Sequence, residues 1–404
     1  RVFFSLFSLF FLHHLRSIYG GANVAPYTAA FNGFLWNEIC PTNELTDPRM
    51  KPRIRLETIV GSVMLLPLAG ARSFLNIDLL LRGDAGRYFD ESVSDTHLIR
   101  VIRELSMDEL RKINRRVFEK DPSTYRLESG RELRVGLVDG TSLNKQLMSA
   151  FQAVRNDANR TLVDFEPSHG TGHELKTSAT LIERNVQKGS SYQWDLIGAD
   201  GLYMTRHHFN QCLNFGVDFF VKSKEEGLTI FQEARALFQR RHLYPKDIEF
   251  IEGVEEKRGI SYQAFASSGF SFEGVERLLR VAMITETSIA TGETEIFFIV
   301  TSRDDLTALE LRELGHLRWS IENNGFKLFN SLSSSKHGYV KDEAASLRLV
   351  FILAIGFNSL LLFLHEKWNE IEKHWRKAKM TLRHLARHLL DQLLRSSRMI
   401  KAQV

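Results

Sequence analysis

Three acidic residues of the chain occupy positions at which carboxylates often bind metal ions. Asp139 follows the β-like run Leu133–Val138, and Asp200 follows a second such run, Tyr192–Ala199. If these two strands are parallel neighbours, both carboxylates emerge at the same edge of a sheet, where the sites of α/β proteins form. Hard divalent cations prefer oxygen ligands, and a two-metal phosphoryl-transfer site needs carboxylates around ions roughly 3.5–4 Å apart. The two aspartates would supply part of such a site.

A third carboxylate would have to come from an element packed against the sheet. Glu322 is the candidate, in the run Arg318-Trp-Ser-Ile-Glu322-Asn. On a helix, Arg318 and Glu322 are neighbours at i and i+4. A basic residue such as Arg318 beside a metal-binding acid fits a phosphate substrate. Lys327 is less well placed, because a helix turns by about 100° per residue and Lys327 therefore lies well round the helix from Glu322. Because three crowded carboxylates repel one another, at least one of them should resist ionisation without metal.

Simpler interpretations of the same residues stay open. An Asp-Gly pair after a strand is a common turn signal, so Asp139 and Asp200 can each be interpreted as turn residues. An Arg/Glu pair at i and i+4 is often a solvated pair on a helix surface. Asp195 competes with Asp200, but its odd spacing along a strand directs its side chain to the opposite face. Asp218 falls inside an apolar strand-like run.

Other residues with suitable chemistry are poorly placed for it. His169 and His173 have a spacing that a metal can use, but they lie in a Gly-rich loop without a third ligand nearby, which favours a plain loop. Cys40 and Cys212 lack partner ligands and are expected to be buried thiols. No glycine-rich segment matches a dinucleotide or phosphate-loop fingerprint.

The elements that must position the acids follow from the apolar patterns. Alternating strand-like and helix-like runs between residues 126 and 226 predict an α/β domain with a mixed sheet. Short β-like runs after it predict an all-β insertion, and Leu306–Ser331 predicts one long amphipathic helix. The regions are a helical N-terminal region over 1–125, the first part of the core over 126–226, the β-rich insertion over 227–303, the second part of the core with the Glu-bearing helix over 304–365, and a basic helical tail over 366–404.

Basic residues are concentrated in two parts of the chain. The net charge of +4 over 404 residues is too small to imply a polyanionic partner by itself. Lys373–Val404, however, holds nine Lys or Arg and one Asp, a charge of +8 that leaves −4 for the remainder. The N-terminal helices also carry several arginines. Either set can contact nucleic acid or form the solvated face of a helix.

Composition and two apolar runs bear on the compartment. Two cysteines cannot build a disulfide framework or a cysteine-only zinc site, and their scarcity fits a reducing compartment. Val2–Leu12 has the length of a signal-peptide core, but no small-residue cleavage site follows it. Leu349–Leu364 is shorter than the ~20 residues that span a bilayer, contains Asn358, and predicts a buried core helix. We therefore expect a cytoplasmic protein with no membrane partner, against the alternative of a membrane-anchored one.

The order of these motifs resembles that of the DDE transposases of the bacterial insertion-sequence-4 family. The matching features are a strand before Asp139-Gly-Thr, a strand before Asp200-Gly-Leu-Tyr, a β-rich stretch, and Arg318-Trp-Ser-Ile-Glu322 on a helix. The helical segment Arg53–Leu81 and the apolar helix after Glu322 also follow the order of that family. The resemblance covers most of the chain.

The resemblance implies a fold, a reaction and its partners. The fold would be an RNase H-like core that binds two Mg²⁺ ions, with Mn²⁺ as a substitute, through Asp139, Asp200 and Glu322. The reaction would be strand cleavage by water at the transposon ends, followed by attack of the freed 3′-hydroxyl on target DNA. The acting species would be a homodimer in a synaptic complex with DNA, in the bacterial cytoplasm at the nucleoid.

The chain departs from the extended signature of that family, Tyr-x2-Arg-x3-Glu-x6-Lys. Arg318 and Glu322 fit it, but Gly315 stands at the Tyr position and Phe329 at the Lys position. A catalytically decayed, transposase-derived DNA-binding protein is therefore the alternative. The residues expected to contact DNA are Arg318, Lys327 and Lys336.

Overall fold

The structure is a computed structural model of the chain. The residues that it describes are 35, 44–66, 89, 91–120, 124–154, 160–168, 172–186, 193–378 and 386–387. Val2–Leu12, Cys40, His169 and the greater part of the basic tail lie outside these ranges. The chain divides into two compact units, one formed by Phe118–Leu328 and the other by the two flanking segments of the chain.

Nine α-helices occur within the described ranges. They are α1 (Leu56–Met64), α2 (Asp95–Glu104), α3 (Met107–Lys120), α4 (Glu174–Val186), α5 (Arg206–Asn214), α6 (Thr229–Gln239), α7 (Ala308–Ser320), α8 (Lys327–Ser333) and α9 (Glu343–Ala378). A six-residue π-helical segment, Ile321–Phe326, joins α7 to α8. Local sequence explains some of the starts: the Thr205 hydroxyl accepts a hydrogen bond from the backbone N–H of His208 and caps α5.

The strands form a small ribbon and one large sheet. They are β1 (Tyr125–Arg126), β2 (Glu132–Leu133), β3 (Val135–Leu143), β4 (Gln146–Val154), β5 (Arg160–Pro167), β6 (Leu196–Asp200), β7 (Asp218–Ser223), β8 (Glu249–Glu255), β9 (Ile260–Phe272), β10 (Val275–Ser288) and β11 (Thr294–Thr301). β1 pairs with β2, and the other nine described strands form a sheet in the order β5-β4-β3-β6-β7-β11-β10-β9-β8. β6 is parallel to both β3 and β7, and the remaining pairs are antiparallel. The predicted α/β class with a mixed sheet is confirmed.

Alternation of side chains along the strands gives this sheet two different faces. On one face, Val138 of β3 and Ile197 of β6 join a core that also contains Phe209 of α5 and Phe231 of α6. The other face carries Asp139 and is covered by α7. Apolar side chains on both faces explain why the central strands are almost continuously hydrophobic.

Two predicted elements differ from the structure. The segment 227–303 is not all-β, since it begins with α6, and its strands continue the central sheet through the pairing of β7 with β11. The predicted single helix Leu306–Ser331 is interrupted by the π-helical segment. This segment contains the sequence Asn-Asn-Gly, which has low helix propensity. The prediction of one continuous helix was based on apolar periodicity and did not consider propensity.

The unit formed by the flanking segments contains the apolar helix. Leu349–Leu364 is buried throughout, as predicted, but it belongs to the longer helix α9. Gly356 lets α9 pack directly on the backbone of Met64 at the end of α1, since any Cβ there would collide with the Met64 carbonyl. Asn358 donates a 2.9 Å hydrogen bond to the buried Asn114. In the described part of the chain, Glu343–Glu366 is long and apolar enough to cross a membrane, and 89% of its most apolar window is buried, as in the core helix of a soluble protein.

Candidate functional site

Asp139 and Asp200 lie side by side on neighbouring parallel strands. The pairing of β3 with β6 runs from Val135 opposite Leu196 to Leu137 opposite Gly198. Continuing this register by two residues brings Asp139 level with Asp200, on the same face of the sheet. The prediction that Asp139 ends its strand was wrong, because β3 continues to Leu143 along β4. What ends before Asp139 is the pairing with β6, which leaves that edge of β3 open.

Arg318 joins the two aspartates to Glu322. Its Nη2 atom lies 3.4 Å from Asp139 Oδ2 and 3.1 Å from Asp200 Oδ2. Its Nη1 atom lies 3.4 Å from Glu322 Oε1, one helical turn later. The arginine is only 9% exposed, whereas the Glu322 side chain is 48% exposed. Three carboxylates from distant parts of the sequence therefore surround one buried guanidinium.

The turn interpretation has a structural basis at Asp200 but not at Asp139, which lies inside β3. Asp200 Oδ1 accepts a 3.0 Å hydrogen bond from the backbone N–H of Leu202 and caps a short 3₁₀ turn, Gly201–Tyr203. Asp139 Oδ1 accepts one of 2.9 Å from the N–H of Gly140. In both residues the other oxygen faces Arg318. The Asp200 side chain thus caps the 3₁₀ turn and also belongs to the cluster.

Asp139 is the carboxyl group that resists ionisation. Burial raises its pKa, Arg318 lowers it, and the charges of Asp200, Glu174 and Glu322 raise it again, to a value of about 7. The sequence predicted the direction from repulsion alone, but burial is the larger cause. Near neutral pH a single guanidinium does not compensate this cluster, so a further cation would be stabilised there.

Two charged residues of the site were missed by the sequence analysis. Glu174, at the start of α4, contributes to the field at Asp139. Lys222 is paired with Asp200 across β6 and β7, so it lies on the same face. Aligning the end of the run GVDFFVK with the end of the strand before Asp200 would have found it. Burial lowers the pKa of Lys222 to about 8, and its Nζ lies 3.9 Å from the centre of the Phe297 ring.

A cavity of about 510 Å³ opens beside the carboxylates. Asp200 and Arg318 form its wall on the side of the cluster. Its other lining residues include Lys222, Lys224, Arg258, His316 and the half-exposed Trp319. The lining also contains Glu286, Glu293 and Glu295, so acidic and basic side chains are mixed along the cavity.

An ion-pair network fixes the helix that carries Arg318. Arg312 donates from Nε to Glu286 on β10 at 2.6 Å and from Nη2 to Glu255 on β8 at 2.8 Å. His316 Nε2 lies 2.8 Å from the same Glu286 oxygen. Burial raises the pKa of Glu286, but His316 and Arg312 outweigh it and hold the pKa at about 2. These contacts hold α7 against the sheet within the two turns that precede Arg318.

The π-helical segment that carries Glu322 packs on a buried amide. Gly325 lies against the Gln152 side chain, and any Cβ at position 325 would collide with it. Gln152, on β4, is fully buried, and neither atom of its amide has a hydrogen-bond partner among the described residues. Segments of π-helix often occur at functional sites. Here the segment brings the backbone after Glu322 down onto the sheet face that carries Asp139.

The remaining candidates lie elsewhere. Lys327 is an exposed residue at the start of α8, and Lys336 is exposed in the loop after that helix, in the other compact unit. Asp195 is paired with Arg134, 3.0 Å away, outside the cluster. Asp218 is the first residue of β7 and accepts a hydrogen bond from Ser302.

Of the histidines and cysteines that the sequence analysis set aside, His173 and Cys212 lie within the described residues. His173 is exposed just before α4, and Cys212 is a fully buried thiol in α5, as predicted. Within the described ranges, neither forms a hydrogen bond or an ion pair with Asp139, Asp200 or Glu322.

The cluster fits a divalent cation in the kind of ligand it offers and in its charge. Carboxylate oxygens are the donors that Mg²⁺ and Mn²⁺ prefer. The guanidinium of Arg318 stands where such a cation would be attracted, and its buried Nε has no hydrogen-bond partner within the described ranges. In this arrangement no group of three or more His, Cys, Asp or Glu among the described residues is close enough to hold a metal. Arg318 would have to move aside for an ion to bind.

The chain matches no protein-family model, and no curated protein sequence matches it.

Proposed function

We propose that the chain is a DDE transposase that cleaves DNA strands and transfers them in a metal-dependent reaction. The observation that carries this proposal is the meeting of Asp139, Asp200 and Glu322 around Arg318. A phosphoryl-transfer site needs acidic ligands for cations and a basic group for the phosphate, and both kinds are present here. They come from two adjacent parallel strands and one helix, in the order that the resemblance implies.

The finer fold assignment belongs to the same proposal. Three antiparallel strands, β5, β4 and β3, are followed by the parallel strands β6 and β7, with the acids at the junction. This arrangement supports an RNase H-like core. The strands β8 to β11 would then be an insertion that extends the edge of the core sheet and supports α7.

Each residue has a role in the proposed reaction. Asp139, Asp200 and Glu322 would hold Mg²⁺, or Mn²⁺ in its place. The bound ions would polarise the scissile phosphate and activate water or a 3′-hydroxyl as the nucleophile. Arg318 leaves the carboxylates and binds a phosphate of the cleaved strand, because a guanidinium matches phosphate in geometry and charge. Lys222 adds positive charge at the wall of the cavity.

The proposed partners are transposon ends and target DNA, bound by a homodimer in the bacterial cytoplasm at the nucleoid. Lys327 and Lys336 are exposed and able to meet a phosphate backbone. The basic segment Lys373–Val404, most of which lies outside the described residues, would add contacts that do not depend on DNA sequence.

The alternative, a decayed DNA-binding protein, is favoured by one observation. A Cβ at Gly315 would lie 2.8 Å from Ile299 Cδ1 and 2.9 Å from Phe297 Cε2. The tyrosine of the extended signature therefore has no room at this position of α7. A chain that has lost this group and still binds DNA would bind transposon ends without cutting them.

The experiment combines the DNA around the gene with a cleavage assay. Inverted repeats that bracket the coding region would identify the substrate. Purified protein is then incubated with a DNA fragment carrying one repeat, with Mg²⁺, with Mn²⁺ or with a chelator. We expect nicking at the end of the repeat only with a divalent cation. Binding of the repeat without nicking under any of these conditions would favour the decayed protein. If the protein neither binds nor nicks the repeat, both functions are excluded.

A further inference from the structure

The loop that follows α6 is basic and exposed over its whole length. It spans Arg240–Asp247 and carries three cations and one acid, besides His242. α6, which precedes the loop, packs on the sheet face opposite to Asp139. β8, which follows it, is an edge strand of the large sheet. The loop therefore lies outside the candidate site.

Hydrogen bonds give this loop a fixed backbone. The N–H of Leu243 donates to the Arg240 carbonyl at 2.8 Å, and the N–H of Asp247 donates to the Tyr244 carbonyl at 3.2 Å. At the end of the loop, the Ser267 hydroxyl donates to the Asp247 carbonyl at 2.8 Å. These turns hold Leu243 and Tyr244, the tip of the loop, in solvent, where they are 60% and 45% exposed.

Arg241 is held in place by an aromatic ring and not by an acid. Its guanidinium carbon lies 3.9 Å from the centre of the Phe250 ring on β8. A guanidinium stacked on a ring keeps the N–H groups at its edge available for hydrogen bonds. Because stacking already restricts the side chain, less conformational entropy is lost when it binds an anion.

None of the three cations of the loop forms an ion pair with a described residue. By contrast, Arg235 on α6 is paired with Glu226 at 2.8 Å. Glu249, the first residue of β8, is paired with Arg280 at 2.6 Å and is not available to the loop. The positive charge of the loop is therefore left for a partner outside the chain.

The dipole of α6 accounts for only part of this pattern. Basic residues are stabilised at a helix C-terminus, and Arg240 is the C-cap of α6. That effect falls off within the last turn, so it explains neither Lys246 nor the exposure of Leu243 and Tyr244. Basic groups interleaved with exposed aromatic side chains are typical of surfaces that bind nucleic acid.

We propose, on the basis of the DNA-binding function proposed above, that the loop Arg240–Asp247 is a second DNA-binding surface, which contacts the phosphate backbone of a duplex away from the site of cleavage. The three cations of the loop bind phosphates, and the side chains of its tip lie against the sugars. Contacts of this kind position DNA without reading its sequence. They need no metal ion.

The test measures binding of the full chain to a fluorescent DNA duplex without the inverted repeat, in the presence of a chelator. Fluorescence anisotropy at several salt concentrations gives the slope of log affinity against log salt. The loop variant, Arg240→Gln/Arg241→Gln/Lys246→Gln, removes the three cations. Phe250→Leu removes the ring beside Arg241 and leaves every charge in place.

A matched control removes three cations elsewhere in the same compact unit. It is Lys176→Gln/Arg277→Gln/Arg303→Gln. Lys176 is exposed on α4, whereas Arg277 and Arg303 are each paired with an acid. Circular dichroism checks that each variant is folded.

We expect the loop variant to reduce the slope by roughly 2–3, because each phosphate contact contributes ~0.9. The control variant should keep the slope of the wild type. Phe250→Leu should also keep the slope but weaken binding by about 2–10-fold, the cost of immobilising one long side chain. An equal reduction of the slope in the loop variant and the control would show a general effect of charge and would overturn the inference.

The other outcomes separate this inference from the function on which it rests. If the wild type binds no DNA, both are overturned. If the wild type binds the duplex and the loop variant has the same slope, the loop is not a DNA contact and the proposed function stands. Vesicles that contain phosphatidylserine are tested in the same way. Loss of vesicle binding in the loop variant, with DNA binding unchanged, would assign the loop to a membrane surface instead.

Discussion

Asp139 and Asp200 share one nitrogen atom of a buried arginine, Nη2 of Arg318, at 3.4 and 3.1 Å. Adjacent positions on parallel strands bring the two carboxylates to one place, and the arginine compensates them only in part. The cation at the centre of the site is thus the guanidinium of Arg318, a group of the protein itself. Replacing any member of this cluster should therefore change both the binding of metal and the reaction with DNA.

Replacing Asp139 should stop the reaction without unfolding the protein. Asp139→Asn removes a charged ligand and keeps the shape, so nicking of a repeat-bearing DNA fragment should fall by more than the roughly 10–100-fold cost of changes around a metal ligand. The melting temperature without metal should not decrease, because ionisation of this buried carboxyl is unfavourable. Asp195→Asn is the control: it breaks the pair with Arg134, outside the cluster, and should leave nicking intact. Equal nicking by Asp139→Asn and the wild type would remove Asp139 from the site.

Removing Arg318 should change metal binding and activity in opposite directions. The Arg318 guanidinium offsets part of the negative charge that attracts a cation to the cluster. Without it, the carboxylates should bind Mn²⁺ several-fold more tightly in Arg318→Ala, while nicking falls because no guanidinium binds the phosphate. Arg318→Lys keeps the charge and should resemble the wild type in Mn²⁺ affinity. Weaker Mn²⁺ binding by Arg318→Ala would contradict the view that this arginine stands in for a cation.

Adding a methyl group at Gly325 should disturb the segment that holds Glu322. Gly325→Ala drives a Cβ into the buried amide of Gln152, and overpacking of this kind costs about 1–3 kcal/mol. Gln152→Ala removes the obstacle, so the double variant should regain part of the stability lost in Gly325→Ala. Urea unfolding of the two single variants and the double variant gives the coupling energy. Strictly additive changes would show that the two residues do not contact each other.

The Glu286 network should give a stability that depends on pH. The folded-state pKa of about 2 lies below the ordinary value of 4.5, so Glu286 stabilises the fold above pH 4.5, and this contribution is lost as the pH falls towards 2. At pH 7, Glu286→Gln should lower the free energy of unfolding by roughly 3 kcal/mol, at about 1.4 kcal/mol per pKa unit. The difference from the wild type should shrink between pH 4.5 and 2. Glu233→Gln, an exposed residue on α6, should show no such dependence.

The basic end of the chain should govern the salt dependence of DNA binding. Replacing the Lys and Arg residues after Ala378 with Gln should reduce the slope of log affinity against log salt by ~0.9 for each phosphate that is no longer neutralised. Fluorescence anisotropy at several salt concentrations measures this slope. An unchanged slope would mean that these residues form only a solvated face.

Much of the sheet could be predicted from the sequence because its strands are short apolar runs with clear ends. The strands at β3, β6 and β7 and the type of domain follow from that pattern, and so does the proximity of Asp139 to Asp200, since parallel neighbours bring their ends together. The extent of β3 did not follow. Gly140, Thr141 and Ser142 interrupt its apolar pattern after Asp139, and pairing with β4 keeps them in the strand.

The charged residues that the sequence analysis missed show which contacts cannot be predicted from patterns in the sequence. Glu174 has no motif of its own, and its position depends on the length of the loop before α4 and on a glycine one residue after Asp139. Lys222 looks like the end of an apolar strand until the register with Asp200 is known. Glu286 and Arg312 meet only through the packing of α7 on β10, which periodicity in the sequence does not contain.

The order of strands in the sheet also determines when the cluster can form during synthesis. β7 pairs with β11 and not with β8, which follows it in the chain, so four further strands, β8 to β11, must be made before the sheet is complete. Arg318 and Glu322 come later still. A growing chain therefore exposes Asp139 and Asp200 to water long before their counter-charge has left the ribosome. Long-range pairing of this kind is slow, and the complete cluster of charges is among the last features that the nascent protein acquires.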